Sequence, residues 1–446
     1  MSGRRCPAAV WCPPVRLCSA STAVTNTGIG RPTRPLLSSN RVNIHHSEMS
    51  TPDRATVNRA DKKELKSDFT VVLQQKILTG GYLPLAQYMR ECLGNPDFGY
   101  YSTKKQVIGG ERADFITAAE IPFFADILTG FVLDTWQKMG TPRKFHLVEL
   151  GPGKGTLMQG ILRQIMHVQP QLLNFIQVHM VEMGAARQTE QKSALKDFQT
   201  AAGRIRWHLS LDALPAFKGE ASLFVCNEWF DALPISAYAF TERGWVETLV
   251  DVDDDPSHEA HFKFVGSPSG SFASFLMPDE IRLRTDTPMG ETVEVCTHGM
   301  AAMETLARKM IESGKSAALI VDYGKDEHMK DTLRGIRGHK FVHPLLSPGD
   351  IDLSAWVSFK QLRWALERLP LAQQHLAIHG PMTQQDFLAW NGMDVRLASA
   401  IRDQETKMAM RMMQNFRRLM DDDEMGKSYK VFAVQTKNFA TVAPWF

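Results

Sequence analysis

The sequence predicts an α/β fold built on a doubly wound parallel sheet. From residue 145 onward, short apolar segments of strand length alternate with amphipathic segments of helix length. A glycine-rich run, "LGPGKGT", separates the first of these strands from the first helix. Strand–helix alternation builds parallel sheets with right-handed crossovers, and a glycine-rich turn after a strand lets a ligand approach the backbone.

A helical region is expected before the sheet, over residues 60–144. Residues 60–79 show helical spacing of apolar side chains and are followed by two glycines, and residues 84–94 form a second short helix. The apolar stretch "FFADILTGFVLDTW" (123–136) is interrupted by two aspartates. It is therefore interpreted as a packed helix, and no integral membrane segment is predicted.

The main domain is expected to span residues 145–446. Its strands are predicted at 145–150, 176–182, 204–209 and 221–226, with helices at 155–166 and 185–198. Residues 236–296 are interpreted as an insertion that begins with an antiparallel hairpin and continues through a loop-rich stretch, 251–290. The segments "ETVEVC" and "AALIVDYG" are expected to resume the strand–helix alternation. Residues 359–420 are expected to be helical decoration, followed by a closing strand, "YKVFAVQ".

The first 47 residues have the composition of a mitochondrial transit peptide. They contain six arginines, many Ser and Thr, and neither Asp nor Glu, because Glu48 is the first acidic residue. N-terminal segments that are rich in arginine and serine and free of acids are typical of such targeting sequences. The alternative is a disordered basic tail.

The rest of the chain lacks the charge pattern of a nucleic-acid-binding protein. Without those six arginines, 45 Lys and Arg stand against 49 Asp and Glu. Residues 48–446 are therefore slightly acidic, whereas nucleic-acid binding depends on clustered positive charge. The three cysteines of this part, Cys92, Cys226 and Cys296, are far apart in the sequence, so no metal site is predicted.

The stretch "VELGPGKGTL" (148–157) is the most informative in the chain. Its glycines are Gly151, Gly153 and Gly155. A dinucleotide-binding turn would have glycine or alanine where this chain has Thr156. With Glu149 two residues before the first glycine, the stretch resembles motif I of the class I S-adenosylmethionine-dependent methyltransferases. The alternative is a simple turn between strand and helix.

A carboxylate beside this loop suits a cationic cofactor. S-adenosylmethionine carries an ammonium group and a sulfonium, whereas the pyrophosphate of a dinucleotide would be repelled by Glu149. The second strand ends in Glu182, from where a carboxylate can accept hydrogen bonds from ribose hydroxyls, although it could equally stabilise a helix N-terminus. The residues predicted to bind S-adenosylmethionine are Glu149, Gly151, Pro152, Gly153, Gly155, Thr156 and Glu182.

Acidic residues follow the apolar strand at 221–226 almost at once. In "FVCNEWFDALPIS", Asn227, Glu228 and Asp231 come directly after the strand, at the sheet edge where α/β proteins bind ligands. They are predicted to be catalytic, because a carboxylate that accepts two N–H bonds can hold the plane of a guanidinium and polarise it. The alternative is that Glu228 and Asp231 only cap the turn or the next helix.

The segment "NEWFD" also resembles the start of the carboxylate loop in protein arginine methyltransferases. In that family a second glutamate follows nine residues after the first, where this chain has Ala237. Asp231 is the residue proposed to substitute for it.

Several segments in order resemble the MidA family of mitochondrial methyltransferases over about residues 66–436. They include "ADFITAAEI", "VELGPGKGTL", "CNEWFDALP", "ALIVDYG" and "SPGDIDLSAWVSF". The resemblance implies a Rossmann-like class I methyltransferase sheet and S-adenosylmethionine as cofactor. It also implies symmetric ω-dimethylation of an arginine on iron–sulfur protein 2 of complex I, in the mitochondrial matrix, as a step in complex I assembly. Asp114 and Phe230 are implied to contact the substrate.

Two other functions stay open at this point. One is methyl transfer from S-adenosylmethionine to a small amine or to another residue type. The other is a complex I assembly chaperone that retains the fold without turnover. A nicotinamide oxidoreductase is disfavoured by Thr156 and Glu149.

The adjacent tyrosines Tyr100 and Tyr101 have two interpretations. They could line a substrate channel, but tyrosines beside a helix more often pack with their hydroxyls at the surface, and this second interpretation is favoured.

Overall fold

In a computed structural model of the protein, the described residues are 68–103, 117–199, 205–255, 257–268, 275–402, 404–442 and 444. The expected transit peptide, 1–47, lies outside them. Within these ranges, no helix combines the length and the apolar character needed to cross a membrane.

The helices are α1 Asp68–Gly80, α2 Leu85–Gly94, α3 Tyr100–Thr103, α4 Pro122–Lys138, α5 Thr156–Val168, α6 Ala185–Ala194, α7 Asp279–Arg282, α8 Thr297–Ser313, α9 Phe359–Glu367, α10 Pro370–His375, α11 Gln384–Trp390, α12 Met393–Ile401, α13 Thr406–Met420 and α14 Met425–Ser428. Short 3-10 helices cover Ala118–Glu120, Pro170–Asn174 and Lys196–Phe198. The strands are β1 Leu83–Pro84, β2 Phe145–Leu150, β3 Ile176–Val181, β4 Ile205–His208, β5 Ala221–Asn227, β6 Ser236–Thr241, β7 Gly244–Val252, β8 Phe262–Gly266, β9 Thr292–Val295, β10 Ser316–Lys325, β11 Arg334–Arg337, β12 Lys340–Val342, β13 Asp352–Ser354, β14 Val357–Ser358, β15 Leu376–Thr383 and β16 Tyr429–Thr436.

The central sheet has the strand order β15-β16-β10-β5-β2-β3-β4, with β14 beside the end of β10. Strands β4, β3, β2, β5 and β10 are parallel. The first strand, β2, lies inside the sheet and the chain winds outward from it in both directions, so the predicted doubly wound α/β sheet is confirmed.

The sheet is mixed rather than wholly parallel, because β16 and β15 pair in the antiparallel sense at one side. The closing strand β16 was expected, but β15 falls in the stretch 359–420 that was expected to be helical. Strand β15 contains Gly380 and Pro381, and both residue types are unfavourable in strands. Its assignment therefore depends on pairing with β16, which a local sequence pattern does not show.

Both faces of the central sheet are buried under helices. Along β2, Leu147 packs in a cluster with residues of α4 and α5, and Val148 packs in a second cluster with residues of α8 and α9. Strands covered on both faces consist of continuous apolar runs, which is why "FHLVEL" is recognisable in the sequence. The carboxyl ends of the parallel strands are left to form a cavity.

A second sheet, with the order β1-β7-β6-β9 and β8 beside β7, holds the residues after β5. The predicted hairpin of β6 and β7 is confirmed. The strand–helix alternation resumes as expected, because β9 is followed by α8 and β10, but β9 itself pairs antiparallel with β6 in this second sheet. The expectation of loop for 251–290 was wrong in part, since β8 lies within that stretch. A strand's partner is chosen by tertiary packing, which the short apolar run "TVEV" does not reveal.

A third, three-stranded sheet has the order β12-β11-β13 and was not predicted. Its strands are only three or four residues long, too short to give a periodic pattern. One residue of β13, Leu353, shares a hydrophobic cluster with Val250 of β7 and with α1 and α2. The N-terminal helices are thereby packed against both smaller sheets.

Candidate functional site

A cavity of about 620 Å³ lies at the carboxyl ends of the parallel strands. The predicted site residues that line it are Glu149, Gly151, Pro152, Gly153, Thr156, Glu182, Asn227, Glu228 and Asp231. They lie at or just after the carboxyl ends of β2, β3 and β5, which meet at one edge because the strands are parallel and adjacent.

The glycine loop between β2 and α5 has three residues in the left-handed conformation. The φ angles of Gly151, Gly153 and Gly155 are 65°, 52° and 82°, which only glycine adopts at little cost. A Cβ atom on Gly151 would lie 2.4 Å from Cδ1 of Trp229. The loop and the Trp229 ring are therefore in direct contact in the cavity wall.

Gly155 is placed differently from the other two glycines. It caps the N-terminus of α5 and does not line the cavity, and a Cβ there would lie 3.3 Å from Cγ of Gln191 in α6. Its contact is with a neighbouring helix rather than with bound cofactor, so its assignment as a cofactor-binding residue is not supported by its position.

Replacing Gly151 with Ala is expected to weaken cofactor binding about tenfold or more. The left-handed conformation costs a non-glycine residue about 1 kcal/mol, and the new methyl group would displace Trp229 in addition. Calorimetric titration with S-adenosylhomocysteine measures the effect.

Gly219→Ala is the matched control for this prediction. Gly219 also has a positive φ angle, of 70°, but no atom lies within 4 Å of a Cβ placed there. That variant bears the backbone strain without the clash, and its affinity should stay close to that of the unaltered protein. Equal affinities for Gly151→Ala and Gly219→Ala would contradict the proposed role of the loop.

Two of the predicted site residues have a buried oxygen atom with no hydrogen-bond partner among the described residues. These atoms are Oε2 of Glu149 and Oδ1 of Asn227, and their side chains are only 3 % and 7 % exposed. Burial raises the pKa of Glu149 to about 8, because the carboxylate has lost its water. Acceptors left unpaired in this way fit a ligand that brings N–H donors and positive charge, as the ammonium group of S-adenosylmethionine does.

Glu182 lies at the end of β3, in the wall of the same cavity. Its Oε1 accepts a hydrogen bond of 2.7 Å from the backbone N–H of Gly184, and its Oε2 accepts a long one of 3.3 Å from Gln191. Burial raises the pKa of Glu182 despite these donors. The carboxylate is thus held in one orientation and suits the ribose hydroxyls of a nucleoside.

An apolar part of the wall beside Glu182 was missed from the sequence. Met183 and Leu209 line the cavity, and their side chains are 68 % and 66 % exposed. Large apolar side chains exposed in a cleft suit a flat aromatic ring such as a purine. They follow the strands β3 and β4, so their position after a strand end was the only available signal.

Glu228 follows β5 and is held in a strained conformation. Its φ angle is 48°, which is uncommon for a residue other than glycine and is often found at functional sites. Its Oε1 accepts a hydrogen bond of 2.8 Å from the backbone N–H of Ala118, and its Oε2 one of 3.3 Å from the hydroxyl of Tyr429. Burial raises the pKa of Glu228 to about 8.

Asp231 is paired with a tyrosine in the same way. Its Oδ2 accepts hydrogen bonds of 2.8 Å from the hydroxyl of Tyr323 and of 3.1 Å from Ser354. Burial raises the pKa of Asp231. Since both carboxylates line the cavity, the alternative that they only cap a turn does not account for their tyrosine partners.

A third acid, Asp322, which follows the apolar run of β10, was missed from the sequence. Its Oδ2 accepts hydrogen bonds from three successive backbone N–H groups, those of residues 229, 230 and 231, at 2.9–3.3 Å. The residue is fully buried, and it holds the loop that carries Glu228 and Asp231. The signal was present in "ALIVDYG", where an acid follows an apolar run just as Glu228 does.

Of the two residues implied to contact the substrate, Phe230 does not line the cavity. Phe230 is 3 % exposed and packs in the hydrophobic cluster below the loop, while its neighbour Trp229 lines the cavity. The two adjacent aromatic side chains point in different directions, so Trp229 faces the cavity and Phe230 faces the core. Asp114 lies outside the described residues.

Tyr101 does not have its hydroxyl at the surface, as was favoured from the sequence. The hydroxyl donates a 2.8 Å hydrogen bond to Oδ1 of Asp352, a residue of β13, and both residues line the cavity. Tyr101 therefore lines the cavity instead of packing with its hydroxyl at the surface, whereas Tyr100 is buried in the core. The cavity wall thus contains a third tyrosine–carboxylate pair.

Comparison with known proteins identifies relatives over most of the chain. Residues 127–376 match the family described as "Putative S-adenosyl-L-methionine-dependent methyltransferase". The "Protein arginine methyltransferase NDUFAF7, mitochondrial" of Homo sapiens is 34% identical over 383 residues, which are 81% of this chain and 82% of that protein. The Drosophila melanogaster homologue of that name is 33% identical over 384 residues, which are 81% of this chain and 83% of the Drosophila protein.

A solved structure shares the fold as well. A Burkholderia thailandensis protein, crystallised with S-adenosyl-homocysteine bound, superposes with a TM-score of 0.68 at 26% sequence identity. The superposition covers 82% of this chain and 91% of that one.

Proposed function

Since the chain belongs to this family of S-adenosylmethionine-dependent methyltransferases, we propose that it methylates arginine side chains of a protein substrate in mitochondria. More narrowly, we propose symmetric ω-dimethylation of an arginine on iron–sulfur protein 2 of complex I, as a step in the assembly of that complex. The observation that carries the proposal is the pair of buried carboxylates, Glu228 and Asp231, each held by a tyrosine hydroxyl at the cavity wall.

Two desolvated carboxylates side by side favour a cationic substrate. Burial raises the pKa of both Glu228 and Asp231, so their ionised forms are destabilised until a positive charge arrives. A guanidinium brings five N–H donors in one plane and can bond to several carboxylate oxygens at once. A lysine ammonium offers only three donors on one atom and would not be held in a plane.

The residues of the cavity divide into two groups by what they do. S-adenosylmethionine, when bound, supplies an electrophilic methyl group on a sulfonium. Glu149, Asn227 and the glycine loop would hold its amino-acid part, and Glu182 its ribose. The acids then fix the plane of the guanidinium and draw its positive charge toward themselves, which leaves electron density on the attacking nitrogen.

Transfer of a methyl group to a guanidinium nitrogen must release one proton. Glu228 is suited to accept it, because a pKa of about 8 lets its Oε2 take up a proton near neutral pH and pass it to solvent. The hydroxyl of Tyr429, which donates to that oxygen, keeps the acceptor oriented.

The proposed compartment is the mitochondrial matrix. The relatives are named as mitochondrial proteins, and residues 1–47 have the acid-free, arginine-rich composition expected of a transit peptide.

The proposal predicts the loss of one modification in cells that lack the protein. Mass spectrometry of iron–sulfur protein 2 purified from such cells should show an arginine without its symmetric dimethylation, and re-expression of the protein should restore it. An unchanged arginine methylation pattern would contradict the proposal. Incubating the purified protein with labelled S-adenosylmethionine and an extract, followed by amino-acid analysis, then shows which residue type is methylated.

The same cells separate catalysis from a chaperone function. Restoration of complex I by a folded protein that lacks the Glu228 carboxylate would favour the silent chaperone. Loss of restoration by that variant would favour the enzyme.

A further inference from the structure

The cavity wall also contains a guanidinium that belongs to the protein. Arg334 is the first residue of β11 and pairs in register with Ser354 of β13, whose hydroxyl donates to Asp231. Arg334 lines the cavity together with Asp352 and Trp356. The three-stranded sheet thus places a positive charge close to the carboxylates proposed to bind the substrate.

Two aromatic rings hold the guanidinium of Arg334 in place. Its Cζ lies 4.8 Å from the ring centroid of Phe341 and 5.4 Å from that of Trp356, within the range of cation–π attraction. Its Nε donates a 3.3 Å hydrogen bond to the backbone oxygen of Thr332. Within the described residues, its two terminal nitrogens have neither a hydrogen-bond acceptor nor an ion-pair partner.

The positive charge of Arg334 is not balanced by a carboxylate in direct contact with it. Arg334 is half-buried, and burial lowers its pKa, because a desolvated cation without a counter-ion is destabilised. Asp231 and Glu294 attract it only at a distance longer than an ion pair. A guanidinium that two aromatic rings contact, and whose terminal nitrogens bond to no described residue, is suited to bidentate binding of a carboxylate.

We propose that Arg334 binds a carboxylate of the polypeptide substrate, an Asp or Glu side chain close to the arginine that is methylated. This inference rests on the proposed function and adds the substrate class. The cavity would take a segment that carries both charges, with the arginine at Glu228 and Asp231 and the acid at Arg334.

The carboxylate of the cofactor is the other anion that enters this cavity. Arg334 is tied to Asp231 through β13, on the side of the three-stranded sheet. Of the residues proposed to hold the cofactor, Glu149, the glycine loop and Glu182 lie at or after the ends of β2 and β3, and only Asn227 lies on β5 beside Glu228. We therefore assign the substrate carboxylate, rather than the cofactor carboxylate, as the ligand of Arg334. The experiment below distinguishes the two.

The test is a charge swap that is measured by binding. Short fluorescein-labelled peptides with a central arginine would carry Glu, Gln or Lys on either side of it, and their binding is followed by anisotropy in the presence of S-adenosylhomocysteine. The unaltered protein is expected to bind the Glu peptide about 10-fold or more tighter than the Gln peptide, as for one charge-assisted pair. Arg334→Gln should abolish this preference, and Arg334→Glu should reverse it in favour of Lys.

Arg337→Glu is the matched control, since Arg337 lies on the same strand with its side chain exposed. This variant should keep the preference for Glu peptides. Equal binding of the Glu and Gln peptides by the unaltered protein, or no measurable binding of any peptide, would overturn the inference. So would an Arg334→Gln variant that binds S-adenosylhomocysteine more weakly but keeps the preference for Glu, because Arg334 would then hold the cofactor.

Peptides with Lys in place of the central arginine separate this inference from the proposed function. Suppose that the lysine peptides bind as tightly and are methylated as fast as the arginine peptides, and that the preference for Glu persists. The proposed specificity of the enzyme for arginine is then wrong, whereas the role assigned to Arg334 is retained. If arginine peptides are preferred to lysine peptides but Glu peptides are not preferred to Gln peptides, the role assigned to Arg334 is wrong and the proposed specificity for arginine is retained.

Discussion

Replacing Glu228 with Gln is expected to lower kcat about 100-fold or more, with the affinity for S-adenosylhomocysteine nearly unchanged. The Gln side chain has the same size and can still accept the hydrogen bond that Ala118 donates to Glu228. It cannot carry the negative charge that holds and polarises a guanidinium, nor accept its proton. Steady-state rates with labelled S-adenosylmethionine and iron–sulfur protein 2, together with calorimetric titration, measure the two quantities.

The pH dependence gives an independent test of the same role. The pKa of Glu228 is raised to about 8 by burial, so a rising pH converts the inactive acid into the active carboxylate. The rate of the unaltered protein should therefore increase from about pH 6 to about pH 9, and the rate of Glu228→Gln should not. The pKa of Glu149 lies in the same region, so the rates must be taken with saturating cofactor.

Two results would contradict this role of Glu228. One is a Glu228→Gln variant that transfers methyl groups at the unaltered rate. The other is a variant that loses cofactor binding along with turnover, since Glu228 would then act in the cofactor site.

Replacing Asp322 with Ala is expected to reduce the free energy of unfolding by about 3 to 5 kcal/mol. The carboxyl accepts hydrogen bonds from the backbone N–H groups of residues 229, 230 and 231, and a further one of 3.0 Å from Tyr323. Removal leaves these N–H groups buried without partners, each at a cost of about 1 to 3 kcal/mol. Urea unfolding followed by circular dichroism measures the loss.

Asp322→Asn is the matched control. Its amide oxygen can still accept hydrogen bonds, and burial raises the pKa of Asp322 well above its ordinary value, so an uncharged side chain is tolerated there. This variant should keep most of its stability, while Asp322→Ala should also lose methyl transfer because the loop that carries Glu228 and Asp231 is released. Unchanged urea stability of Asp322→Ala would show that the loop is held by other contacts.

The candidate site was predictable where one short segment contains both the fold signal and the chemistry. In "VELGPGKGTL" and "CNEWFDALP", a buried strand is followed directly by the residues that line the cavity. The position of a residue after an apolar parallel strand decides that it reaches the sheet edge. Asp322 also follows an apolar run, although β10 continues to Lys325, so the sequence contained enough information to find this acid.

What the sequence determined by itself is the local part: the strands β2 to β5 and β10, the helices between them, the left-handed glycine turn, and the acids at the strand ends. These follow from periodicity, residue size and backbone freedom over a few neighbouring positions. Only the tertiary structure decided which strands pair across long separations, as β15 and β9 do, and which side chains meet. Arg334, Tyr101 and Phe230 show this, because a side chain's burial and partners depend on residues far away in the chain, and hydrophobic packing selects them without leaving a local pattern.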